Sequence, residues 1–288
     1  MALSRPSGLS TIPFATSHKR AGLAHIVSAE LSEKAEKEGV KPNPNYKGEL
    51  TEQSIEMAKV EQHENCAIHV NGLPGNVSAQ EFLSYVHTGK VFLCTINPPD
   101  EEIETSAARL VFTTRSAAER FLAEANGWGG IRIRGLRIGA MWDRSRWGPA
   151  PEVDKHQTRV LQILGPNKPK FNVDYVTAIF KKDIDFEYCG TREWARSKEQ
   201  KVVEICFSSI LGQSRQALKY FKVRANFDGV EEFFEVKYGP DPCDGGNPDI
   251  GRDMFDWPTA REAKSAGRNN RGSGSEGPIW RSGGGDSM

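Results

Sequence analysis

Ala67-Ile68-His69-Val70-Asn71-Gly72-Leu73 is the stretch on which the fold turns. Ile68 and Val70 fall on one side and His69 and Asn71 on the other, the period of a strand with one buried face. Pro74-Gly75 ends the run. Ser78 then stands three residues before Glu81, a capping-box spacing that predicts a helix start, with Phe82 and Val86 on the buried stripe.

Working outward, 90–96 (KVFLCTI) reads as a second strand, and Pro98-Pro99 with the following acids as a loop. A third strand is predicted over 107–113, with Ala108, Leu110 and Phe112 in register. A second helix is predicted over 116–125, with Ala118 and Leu122 facing inward. After Asn126-Gly127 and a glycine-rich hairpin, 136–142 (LRIGAMW) reads as the fourth strand, which would project Arg137 and Met141 opposite Ile138 and Ala140.

The same order recurs after roughly 93 residues: strand 159–165, helix 172–182, strands within 184–194 and 201–208, helix 213–223 and strand 232–238. The fold class is therefore α+β, as two ferredoxin-like β-α-β-β-α-β sandwiches. Each has an antiparallel four-stranded sheet with two helices on one face and the other face open. The expected organisation is a flexible region at 1–61 with short solvated helices at 28–38 and 49–61, a first domain at 62–148 and a linker at 149–155. A second domain at 156–240 and a disordered tail at 241–288 complete it.

Bulk properties bound the function. Lys+Arg and Asp+Glu both number 38, so net charge is zero, and any nucleic-acid binding must rest on local patches and stacking. The 38% hydrophobic content and mean hydropathy of -0.54 fit compact cores joined to polar segments. Five scattered cysteines without a CxxC pair argue against a zinc site or a disulfide framework, and no apolar run is long enough to span a bilayer. An intracellular location, nucleus or cytoplasm, is expected. The acid-free start, with Arg5, Lys19 and Arg20, reads first as a polar tail and second as a mitochondrial presequence.

Ile68-His69-Val70-Asn71-Gly72-Leu73, together with Leu110-Val111-Phe112 and Ala118, is similar to the two signature strands of the RNA recognition motif (RRM) family. The resemblance covers about 80 residues of the first repeat and, less closely, about 80 of the second. It implies single-stranded RNA as the partner, with bases stacked on three exposed sheet positions. These align with His69, Ala107 and Arg109 in the first repeat and with Gln162, Val202 and Glu204 in the second. A carboxylate such as Glu204 would repel an RNA backbone there, and the acidic loop Asp100 to Glu104 stands where many family members are basic.

From Trp128 to Trp147 the chain interleaves Arg132, Arg134, Arg137, Arg144 and Arg146 with Trp128, Trp142 and Trp147, combining phosphate pairing with stacking. The expected RNA contacts are His69, Asn71, Arg109, Arg132, Arg134, Arg137, Met141, Arg144, Arg146 and Trp147. The tail dipeptide Arg271-Gly272 and Trp280-Arg281-Ser282-Gly283 faintly resemble Arg-Gly segments. No catalytic motif or metal spacing occurs, so the chain reads as a binding protein with no cofactor and not as an enzyme. The second repeat is the candidate for protein partners, and the alternative function is an interaction scaffold within a ribonucleoprotein.

Overall fold

Local signals start the helices and strands of both repeats. In the computed structural model, which describes residues 29–40, 52–101, 103–182, 184–227, 234–250 and 253–255, Ser78 Oγ accepts from the Glu81 N–H (3.1 Å) and opens α3 (Ala79–Leu83). Before it come α1 (Ala29–Lys37), α2 (Glu52–Ala58) and β1 (Ala67–Leu73). After it come β2 (Val91–Asn97), β3 (Ser106–Phe112), α4 (Arg115–Asn126), the hairpin β4 (Arg132–Ile133) and β5 (Leu136–Arg137), and β6 (Gly139–Trp142). Thr114 caps α4 through the Ala117 N–H. The second repeat comprises β7 (Val160–Pro166), α5 (Val173–Phe180), β8 (Tyr188–Ala195), β9 (Gln200–Phe207), α6 (Arg215–Phe227) and β10 (Glu235–Tyr238).

The first sheet runs β2-β3-β1-β6 and the second β10-β7-β9-β8, antiparallel throughout. Each has its helices on one face. Ile68, Val70, Leu110 and Phe112 pack against Phe82 and Phe121 in the first fold. Leu161, Ile163, Val203 and Ile205 pack against Val176, Phe180, Ala217 and Phe221 in the second. Burying these side chains is the main favourable term, on the order of 2 kcal/mol for each large apolar residue.

Three expectations change. The fourth strand of the first repeat starts at Gly139, because Leu136–Arg137 pairs with Arg132–Ile133 across a two-residue turn. Arg134 (φ 49°) and Gly135 (φ 84°) give that turn the two positive φ angles of a primed hairpin. Secondly, α6 begins through a π-turn at Ile210–Ser214. Thirdly, the N-terminal helices are not purely solvated: Ala35, Val40 and Ile55 form a small buried cluster with Leu31 and Ala58. Glu/Lys spacing alone did not reveal that stripe.

The two folds belong to one compact unit, and their seam is hydrogen-bonded. Cys94 N–H donates to Ser208 O (2.9 Å), and Gly89 N–H to Cys243 O (2.9 Å). Of the tail expected at 241–288, residues 241–250 pack against the folds, with Asp241 and Cys243 buried. The connector turns through a short 3-10 helix at Glu152–Asp154, and Asp154 pairs with Arg215 (2.7 Å). The expected flexible start before Ala29, the presequence-like residues, the Arg-Gly motifs and the tail beyond Phe255 lie outside the described residues.

Candidate nucleic-acid interface

The face of the first sheet opposite its helices is divided into a closed half and an open half. Ala67 and Val111 are cross-strand partners on that face and both are fully buried. They belong to an apolar cluster with Cys66, Phe92, Trp147 and Ile210, flanked by Met57, Leu93 and Leu211. Thus the exit segment of the first fold, α2 and the π-turn of the second fold together close this half.

Asn65 organises the closure. Its Oδ1 accepts from the N–H groups of Ala67 and Trp147 (3.0 Å each), and its Nδ2 donates to Asp143 O (3.0 Å). Arg109 then clasps the exit segment: Nε donates to Asp143 Oδ2 (3.1 Å) and Nη2 to Ser145 O (2.9 Å), while its guanidinium lies 5.9 Å from the Trp147 ring centre. The Trp147 indole sits 5.1 Å from the Phe92 ring, 4% exposed, and Arg146 donates to Val60 O (2.7 Å). Arg109, Arg146 and Trp147 were expected to meet RNA, but here they hold the protein's own chain against the sheet. Arg and Trp supply the same stacking and pairing chemistry to a peptide segment as to a nucleotide.

Three further arginines belong to the hairpin. Arg134 is bidentate to Glu81 at the start of α3 and also reaches Asn76, on the helix side of the sheet. Arg137 was expected on the open face, yet its Nη2 donates to Gly127 O (2.9 Å) at the end of α4. The cause is the break at Ile138: Arg137 belongs to the β4–β5 hairpin and not to β6, so the strand parity on which that placement rested does not reach it. Arg132 is exposed on the hairpin with its Nη1 on Gly135 O (3.1 Å), and Arg144 is exposed.

The open half carries His69 between its cross-strand partners Arg109 and Met141, with Met141 52% exposed. Asn71 lies beside Gly139, where a Cβ would stand 2.4 Å from Asn71 Oδ1 and would push that amide aside. Thr95 and Asn97 of β2, which pattern reading did not single out, extend the patch opposite Arg109 and Ala107. The patch is polar, with an imidazole, two amides, a hydroxyl and a thioether, groups suited to base edges and faces.

The second sheet differs. Val160, Gln162, Leu164, Val202, Glu204 and Cys206 all point away from the helices, and all are buried. Glu204 accepts from Arg192 through both oxygens (2.6 and 2.8 Å) and from Gln162 (2.7 Å), while Arg192 lies 5.3 Å from the Trp194 ring centre. The expectation of a solvent-facing carboxylate is corrected: Glu204 is neutralised inside the protein and projects no unpaired charge. Among the described residues no group of His, Cys, Asp and Glu could hold a metal ion, and no helix is long and apolar enough to cross a membrane.

Strand order and helix placement, occurring twice, define two ferredoxin-like β-α-β-β-α-β folds in tandem. No protein-family model matches the chain. No curated protein matches it either. Among solved structures it is similar to Sex-lethal RNA recognition domains 1 and 2 from Drosophila melanogaster, at 18% identity and a TM-score of 0.23, covering 61% of this chain and 100% of that one. It is also similar to the first two RRM domains of yeast poly(U) binding protein, at 12% identity and a TM-score of 0.25, covering 61% and 99%. The N-terminal three RNA binding domains of a yeast splicing factor give 13% identity and a TM-score of 0.27, covering 61% and 64%.

Proposed function

We propose that this protein binds single-stranded RNA through the open half of the first sheet, centred on His69, Asn71 and Met141, with Arg144 and Arg132 supplying phosphate contacts. The carrying observation is the His69–Met141 cross-strand pair: a stackable ring beside a half-exposed thioether, on a sheet face whose other half is sealed. Base recognition on such a platform needs unpaired nucleotides whose faces and edges are accessible. The neutral chain adds little non-specific attraction, so affinity rests on this local patch.

The second fold acts in this reading as a support. Its π-turn residues Ile210 and Leu211 help close the first sheet, and its own sheet face is filled. The filled face also favours the alternative of a ribonucleoprotein scaffold that contacts proteins through the second fold. Photo-crosslinking of the full chain to a randomised RNA pool, followed by peptide mapping, tests the choice. Crosslinks in 67–73 and 139–144 support the RNA reading. A protein that ignores the whole pool at low salt overturns it.

A further inference from the structure

Trp128 is 107% exposed, the most solvent-facing large apolar side chain among the described residues. Its backbone is nevertheless well anchored. Asn126 clamps the outer edge of β6, donating from Nδ2 to Ala140 O (2.8 Å) and accepting at Oδ1 from the Ala140 N–H (3.2 Å). Arg137 then fills the inside of the loop. Its Nη2 meets Gly127 O, and its Nε would lie 2.7 Å from a Cβ at Gly130. Gly129 and Gly130 have φ angles of 97° and 55°, conformations that a side chain would strain. Flanked by glycines on both sides, the indole has no neighbouring side chains in sequence to shield it.

The position of this loop points to its occupant. Ala140, which Asn126 holds, precedes Met141, and Met141 pairs across β6 and β1 with His69. Trp128 is two residues beyond Asn126, so its Cα lies within about 7 Å of the clamp. The loop that carries the indole therefore lies along the outer edge of β6, the edge strand that presents Met141. Its surroundings are cationic: Arg137 lies under the loop, and Arg132 is Arg137's cross-strand partner in the hairpin. A fully exposed aromatic ring, on a loop held by one arginine and set along the edge strand of a polar sheet face, fits a nucleotide better than an apolar peptide.

We propose that Trp128 is a base-stacking residue for single-stranded RNA, supplying from the flank the aromatic platform that the sheet positions of this fold lack. This inference rests on the RNA reading above and adds a contact outside the sheet. A strand lying over His69 and Met141 would pass the β6 edge and set its next base on the indole, with its phosphate near Arg132.

The test uses the full chain and a labelled random 12-nucleotide RNA pool in a fluorescence anisotropy titration at low salt. Wild type, Trp128→Ala, Trp128→Phe and a His69→Ala/Met141→Ala double variant are compared. Trp128→Ala is expected to weaken binding about tenfold, the effect of losing one stacked base, and Trp128→Phe to recover most of it. Because the side chain is exposed, the melting temperature should not move. Binding by Trp128→Ala equal to wild type, while the double variant is weakened, overturns this proposal alone and leaves the indole to a protein partner. A Phe variant no better than Ala overturns stacking as the interaction. Absence of binding by wild type overturns the RNA reading and this proposal together.

Discussion

Arg159 and Asp241, 82 positions apart, form a bidentate ion pair (3.0 and 2.8 Å) that is almost wholly buried, with side-chain exposures of 1% and 0%. Asp241 also accepts from the N–H groups of Val91 (3.1 Å) and Cys243 (3.0 Å), and Arg159 donates to Phe207 O (3.0 Å). One carboxylate thereby ties β2 of the first fold to β7 and to the segment after β10. Burial alone disfavours the Arg159 charge, but Asp241 more than compensates and holds the guanidinium firmly cationic.

Removing one partner strands the other. Arg159→Ala or Asp241→Asn should lower unfolding stability by about 3–5 kcal/mol, read from urea midpoints. An isolated buried pair can often be replaced by apolar residues without loss. Here Arg159→Met/Asp241→Leu should remain less stable than wild type, because the Val91 and Cys243 N–H groups would lose their acceptor. A double variant as stable as wild type would contradict this account of the seam.

The Arg109 clasp gives a second expectation. Arg109→Glu places a carboxylate beside Asp143 and should cost about 3 kcal/mol of stability, and Trp147→Ala about 3–5 kcal/mol through the cavity it leaves. Thermal melts measure both. If either variant melts like wild type while losing RNA affinity, the side chain serves the ligand and not the closure of the sheet.

What could be read in the sequence was local. The alternation of Ile68, His69, Val70 and Asn71 gave β1, and Ser78 before Glu81 gave the start of α3, because period and cap are short-range properties. The site was less legible. Trp147 and Arg109 have the composition of an RNA contact, and only their partners Phe92, Asp143 and Asn65, brought from other segments, assign them to the interior. Arg137 was misplaced because counting strand parity back from Met141 crosses the break at Ile138, where β6 ends and the separate β4–β5 hairpin begins. Arg159 and Asp241 look like ordinary surface charges until a fold places them together.

Buried thiols make the protein sensitive to alkali. Burial pushes the Cys206 thiol up to about 11 and Cys66 up to about 12, although the guanidinium groups of Arg159 and Arg115 oppose the rise. In the unfolded chain a thiol ionises near pH 9, so above that pH the unfolded state releases protons that the folded state keeps. Stability should therefore be unaffected by these groups below pH 9 and fall between pH 9 and about 11–12. Urea titrations across this range should show the decline, with a shallower slope in Cys66→Ala. Thiol-reactive reagents at neutral pH should modify Cys66 and Cys206 only as fast as the protein opens.

Salt dependence offers the sharpest check on how RNA is held. Arg134 is ion-paired to Glu81, Arg137 is held on Gly127 O and Arg146 on Val60 O, whereas Arg132 and Arg144 are exposed, and these two are taken as the phosphate contacts of the 128–147 stretch. Two phosphate contacts on a single strand correspond to a slope of about -1.4 in the logarithm of the binding constant against the logarithm of salt. Arg144→Gln should reduce its magnitude by about 0.7, with little effect on melting temperature, since Arg144 is exposed. His69→Ala should lower affinity at every salt concentration and leave the slope unchanged, because a stacking contact displaces no phosphate counterion. A wild-type slope steeper than about -3 would mean that more cations engage the backbone than this face presents, and the centre of binding would then lie elsewhere on the molecule.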